Sequence, residues 1–231
     1  MPKTDTHRNQ TEGTALRTRT RTKTLAAALA ALAGLTGWHL YESNPTASDT
    51  TTATEQTADA AAVDVSALTI APEDTGAEYD RDDWPHWASV GDGCDVRDAA
   101  LQDQGRHVAV GEGCTITGQW TSVYDGEVVD DPSELDIDHL VPLAEVARSG
   151  ARDWSEAERQ AYANDPDVLV AVTAASNRAK GDQDPATWLP ERDRSDYITH
   201  WVAIKQRYDL TADQAEADAI RSVLARCGGG R

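Results

Sequence analysis

Asp136-Ile137-Asp138-His139-Leu140-Val141-Pro142 is the stretch that organises this 231-residue chain. Two carboxylates and an imidazole fall within four positions, and Ile137, Leu140 and Val141 pin the segment to a core. Carboxylate oxygens suit a hard divalent cation, and an adjacent histidine supplies a proton acceptor. In a regular strand successive side chains point to opposite faces, so Asp138 and His139 converge only where the strand ends or bends. Pro142 marks a place for such a bend. Downstream lies Ser176-Asn177-Arg178-Ala179-Lys180-Gly181-Asp182. An asparagine on a short helix can offer its amide oxygen to a metal, and Arg178 and Lys180 bring positive charge into an acidic region. Together the two stretches predict a strand–loop–helix unit around one ion.

The flanking sequence fills in the domain. The pattern predicts a short helix over 95–104, strands over 107–110 and 114–123, and another over 127–129 after the Asp125-Gly126 turn. The central strand is expected over 135–140, a helix over 143–149, and a helix opened by the Ser155-x-x-Glu158 capping box that runs to 164. A short helix over 174–180 stops at Gly181, a longer one covers 197–208, and Thr211-x-x-Gln214 opens the last, with Ile220, Val223, Leu224 and Cys227 on its inner stripe. The fold class that follows is α+β, helix-rich with short strands.

These motifs carry a resemblance. DIDHLVPL followed by SNRAKGD resembles the HNH, or ββα-metal (His-Me finger), endonuclease superfamily, and the wider pattern is similar to small secreted actinobacterial HNH nucleases. The shared features run from Tyr79 to Cys227: YDRDDWPHW, GCDVR, Trp120-x-Ser122-x-Tyr124-Asp125-Gly126, the DIDHLVPLAE core, NRAKGDQDPATWLP and a closing WVAIK helix. The resemblance implies a ββα-metal core in which His139 is the general base and Asp138 and Asn177 hold one divalent ion. Mg2+ is the first expectation, with Mn2+ or Zn2+ as alternatives. Asp136 and Glu145 would support the site. The reaction implied is phosphodiester hydrolysis of DNA, or alternatively RNA, leaving a 5′-phosphate and a 3′-hydroxyl. Arg81, Arg97, Arg178 and Lys180 are the expected nucleic-acid contacts. Ser195 stands where that group often carries a further Cys, which leaves Cys227 unpaired.

Composition bounds these expectations. The formal charge of −19 argues against a protein that coats nucleic acid by bulk electrostatics, so an ion or a local basic patch has to do the attracting. Residues 1–24 carry a net +4 and precede an uncharged run over 25–41 rich in Ala and Leu, the build of a signal peptide or signal anchor. Residues 42–78 hold eight acidic and no basic side chains and are expected as a disordered linker, which leaves 79–231 as the folded domain with a net −15. The protein is therefore expected to be secreted or anchored to the outer face of the cytoplasmic membrane, and monomeric. In an oxidising compartment Cys94–Cys114 is the expected disulfide; a zinc site is disfavoured because no CxxC spacing exists. His86, between Trp84 and Trp87, is expected to be structural. A different class of function, a surface binding protein on a catalytically decayed scaffold, is the alternative. A metallopeptidase would need HExxH, which is absent.

Overall fold

The computed structural model describes residues 64–228, the last two by backbone alone. The basic stretch 1–24, the apolar run 25–41, residues 42–63 of the acidic linker and the side chain of Cys227 lie outside the described residues. In chain order the elements are β1 (Thr69–Ile70), β2 (Ser89–Gly91), β3 (Cys94–Asp95), α1 (Val96–Gln104), β4 (Arg106–Val110), β5 (Ile116–Thr121), β6 (Val128–Val129), β7 (Leu135–His139), α2 (Leu143–Arg148), α3 (Glu156–Ala163), β8 (Leu169–Thr173), α4 (Ala174–Lys180), α5 (Arg194–Arg207), β9 (Thr211–Ala212) and α6 (Gln214–Gly228). Helices and small sheets are mixed, as an α+β class requires. None of the described helices is long and apolar enough to cross a membrane.

β7 and β8 form an antiparallel pair in unbroken register, from Leu135 opposite Thr173 to His139 opposite Leu169. Alternation puts Leu135, Ile137 and His139 on the buried face and leaves Asp136 and Asp138 half-buried on the other. Beneath the buried face, Leu135, Ile137, Leu169 and Ala171 pack with Leu101 of α1 and Trp120 of β5. The indole N–H of Trp120 donates to the Leu101 carbonyl at 2.8 Å, which satisfies the one polar atom of that large side chain. A second core gathers Val146 of α2, Tyr162 of α3, Ile198 and Trp201 of α5 and Ile220 of α6. β4, β5 and β6 form a separate antiparallel sheet, and Cys94 and Cys114 are joined by a disulfide as expected.

α4 follows β8 without a connecting loop, because Thr173 ends the strand in extended conformation and caps the helix, its hydroxyl accepting from Ser176 N at 3.2 Å. Gly181, at a φ of 56°, stops it. The strand–strand–helix order thus places one face of α4 against β7.

Two boundaries differ from expectation. The linker reading fails for 64–78. Leu68 is buried in the core with the helices, Thr69–Ile70 pairs in parallel with Thr211–Ala212, Glu73 bonds Arg148 at 3.2 Å, and Asp74 pairs with Arg152. Composition averaged over the acidic stretch hid the few apolar residues that dock it. The last helix opens at Gln214 rather than Thr211. Thr211 N donates to the Ser149 carbonyl at 2.7 Å and is drawn into β9, while Asp213 accepts from Glu216 N at 2.8 Å and takes the capping role.

Candidate active site

Asp136 and Asp138 project from β7 towards α4. Asn177 Nδ2 donates to Asp136 Oδ2 at 3.0 Å, and Lys180, one turn on, donates from Nζ to Asp138 Oδ2 at 2.6 Å and to the His139 carbonyl at 3.0 Å. Tyr124 donates its hydroxyl to the same Asp138 oxygen at 2.7 Å. Burial, with the Asp138 charge beside it, holds the Tyr124 hydroxyl well above its ordinary titration range. Burial draws Lys180 downwards, opposed by the attraction of Asp138. The first turn of α4 is fixed from the same loop. Asp125 Oδ2 accepts from Thr173 Oγ1 and Ser176 Oγ, each at 2.5 Å. Burial opposes ionisation of Asp125, but the bonds from Ser176 and Thr173 outweigh it and hold the carboxyl at about 2.

His139 lies on the other side of the strand. Its Nε2 bonds the Ala163 carbonyl at 3.0 Å, and its ring stacks between Trp87 and Tyr162, each with a centroid at 6.2 Å. A carbonyl only accepts, so Nε2 carries the proton and the lone pair of the neutral ring is on Nδ1. Nδ1 has no hydrogen-bond partner among the described residues and is not among the solvent-sealed atoms that lack one. Burial pulls the imidazole down to about 4, against the Ala163 bond and the charge of Asp138. Trp87 is held in the left-handed region at a φ of 58°, a strained backbone of the kind that clusters at functional sites.

The expected convergence of Asp138 and His139 is therefore corrected. Pairing continues in register through His139, so β7 does not bend and alternation separates the two side chains. Glu145 is also removed from the site. Its Oε1 meets Lys205 at 2.7 Å and its Oε2 meets Arg148 at 2.9 Å, so both oxygens serve a buried network that Glu216 completes. Arg97 is not free to meet a phosphate, since Nη2 donates to the Pro132 and Leu135 carbonyls at 3.0 and 3.2 Å and ties α1 to the start of β7. Lys180 is fully enclosed and acts on Asp138, not on solvent-borne phosphate. Among the described residues the exposed guanidinium of Arg178 forms no hydrogen bond, and that of exposed Arg81 bonds only His86 Nε2, at 3.3 Å. His86 packs edge-on against Trp87 at 5.2 Å and so belongs to the wall beside His139.

Tyr124, Asp125, Trp87 and Tyr162 went unassigned in the sequence. The Tyr-Asp-Gly turn and the WPHW opening were visible there as motifs, but nothing local to them names Asp138 or His139 as their partner.

On the α4 face the donors are oxygens alone. Asp136, Asp138 and Asn177 each keep one oxygen with no donor among the described residues. That chemistry fits a hard divalent ion.

Residues 100–223 match the family described as GmrSD restriction endonucleases, C-terminal domain. The matched span holds Tyr124, Asp136, Asp138, His139, Asn177 and Lys180, and leaves Arg81, His86 and Trp87 outside it. An uncharacterized secreted protein of Arthroderma benhamiae is 39% identical over 168 residues, covering 71% of this chain and 82% of that protein. No solved structure matches. The family match spans the strand pair and α4, and the chain belongs to the family of the GmrSD restriction endonuclease C-terminal domain, a nuclease family.

Proposed function

We propose that this domain hydrolyses phosphodiester bonds of nucleic acid, DNA first and RNA as the alternative, with little sequence preference. His139 is the general base, and one divalent ion, Mg2+ before Mn2+ or Zn2+, is held by Asp138 and Asn177 in a ββα-metal core. The observation that carries the reading is the state of His139. It is oriented by a single carbonyl, protonated on Nε2, and kept neutral by burial near pH 7, so Nδ1 is available to take a proton.

A divalent ion held by Asp138 and Asn177 would supply Lewis-acid stabilisation of the negative charge that develops at the phosphate. Lys180 offsets part of the Asp138 charge and, with Tyr124, fixes that carboxylate so that its remaining oxygen has one orientation. Asn177 is steered by Asp136, whose carboxylate holds the amide N–H2 and turns the amide oxygen away from it. Trp87 and Tyr162 clamp the imidazole ring in plane. Because β7 ends at His139, the reaction runs across the end of the strand, with the base on one side and the oxygen donors on the other. Export fits the disulfide, which needs an oxidising compartment, and the relative described as secreted.

The test is a plasmid digest by the full chain. Nicking is expected with Mg2+ or Mn2+, none in EDTA, and none from His139→Ala; undiminished nicking by His139→Ala removes the base from the scheme. A second reading, a binding protein on a decayed scaffold, is favoured by Lys180 already neutralising Asp138. Calorimetric titration separates the two, since a scaffold takes up neither Mg2+, Mn2+ nor Zn2+.

A further inference from the structure

Most basic side chains among the described residues are engaged by carboxylates or carbonyl oxygens, as electrostatics demands of a domain with a net −15 over 79–231. Among the described residues, four arginines form no hydrogen bond from their guanidinium to any oxygen: Arg81, Arg106, Arg178 and Arg192. Three of them border the candidate site. Arg81 reaches the His86–Trp87 wall and lowers the charge tolerance of His139, and Arg178 follows Asn177 on α4. Arg192 belongs to no motif that marks the family resemblance as functional, and it is the best held of the three.

The backbone of Arg192 is tied to the Tyr124–Gly126 turn. Glu191 N and Arg192 N both donate to the Tyr124 carbonyl, at 2.9 and 3.2 Å. Its side chain lies against Gly126, where an added Cβ would meet Nε at 3.0 Å and Cδ and Cζ at 3.3 Å. Glycine at a φ of 78° both makes the turn and leaves room for the guanidinium to lie on it. The same turn carries Tyr124, which bonds Asp138, and Asp125, which fixes α4. Arg192 is thus an exposed cation with a defined seat in an acidic domain, withheld from any carboxylate. Its backbone N–H meets the carbonyl end of Tyr124 and Asp138 meets the hydroxyl end, so Tyr124 links the two.

We propose that Arg192 grips a backbone phosphate of the nucleic acid, one that flanks the phosphate reacting at Asp138 and His139. A planar guanidinium matches phosphate oxygens pairwise and reads no base, in keeping with low sequence preference. This inference rests on the nuclease reading, and the experiment keeps the two apart. Full-length chain carrying His139→Ala binds a labelled mixed-sequence DNA or RNA oligonucleotide, followed by fluorescence anisotropy across a salt series. Adding Arg192→Gln is expected to weaken binding roughly three- to tenfold and to lower the slope of log affinity against log salt by about one. Arg192→Lys keeps the charge and recovers most of that slope. Arg221→Gln, an exposed residue of α6 paired with Asp218 at 2.8 Å, changes neither. Affinity and slope unchanged by Arg192→Gln overturn the assignment while leaving the nuclease intact. A parent that binds neither polymer, together with a wild type that cleaves neither, overturns both.

Discussion

Two lysines of this domain are wholly enclosed, and they are enclosed differently. Lys205 meets Glu145 at 2.7 Å, Glu216 at 2.8 Å and the Thr211 carbonyl at 2.8 Å, one acceptor for each of its three N–H bonds. Lys180 meets only Asp138 and the His139 carbonyl among the described residues. The partners differ too. Glu145 and Glu216 are sealed, whereas the Asp138 side chain keeps 11% of its surface open. A fully matched ammonium joins α2, α5 and α6 and has nothing left to offer a ligand. An under-matched one, beside a carboxylate that still touches water, stands where chemistry can be added. Burial of a charge alone does not mark a functional site, and in this domain the incompletely matched lysine is the one that lies in the candidate site.

This contrast can be broken at either lysine. Lys205→Met leaves Glu216 with only the Trp201 indole N–H, at 2.5 Å, and should cost about 3–5 kcal/mol in urea unfolding. The contrast fails if that variant unfolds like wild type. The His139 environment comes next in size. An unfolded histidine titrates near ~6.5, and the folded one about 4. Between those values the unfolded chain binds the extra proton, so the contribution is complete above ~6.5, shrinks as pH falls towards about 4, and is level below. Over that window the loss is about 3 kcal/mol, and His139→Gln in metal-free buffer should flatten this part of the curve.

Lys180→Met should cost less than its counterpart, about 1–3 kcal/mol, because Asp138 can turn to solvent; the same variant should lose nuclease activity. Equal stability losses at the two lysines, with activity kept, would show that they play one role. The smallest effect is expected for Tyr124→Phe. Removing one hydroxyl donor from Asp138 should cost about 1 kcal/mol and raise the metal concentration needed for half-maximal cleavage.

Much of this domain was legible locally. The helix Ala174–Lys180 and its stop at Gly181, the capping box of Ser155 and Glu158, and the strand through Asp136 and Asp138 all rest on interactions within a few residues. The pairing of Cys94 with Cys114 was readable from their short loop. The errors share a cause of the opposite kind. Thr69–Ile70 looked like linker because its partner strand lies at Thr211–Ala212, and Glu145 looked like part of the site because Lys205 is distant in sequence. Arg97 looked like a phosphate contact until the carbonyls of Pro132 and Leu135 were found to occupy it.

By itself the order of residues determined the elements, their caps and the pool of groups from which a nuclease site is drawn, because hydrogen bonds and periodicity act over a turn or a strand. Only the packed structure decided which of those groups face one another. It turned His139 towards Trp87 and Tyr162, closed Lys180 over Asp138, and seated Arg192 on Gly126. Such choices depend on partners brought together from distant parts of the chain, and the exclusion of water that makes them strong exists only once the core has formed.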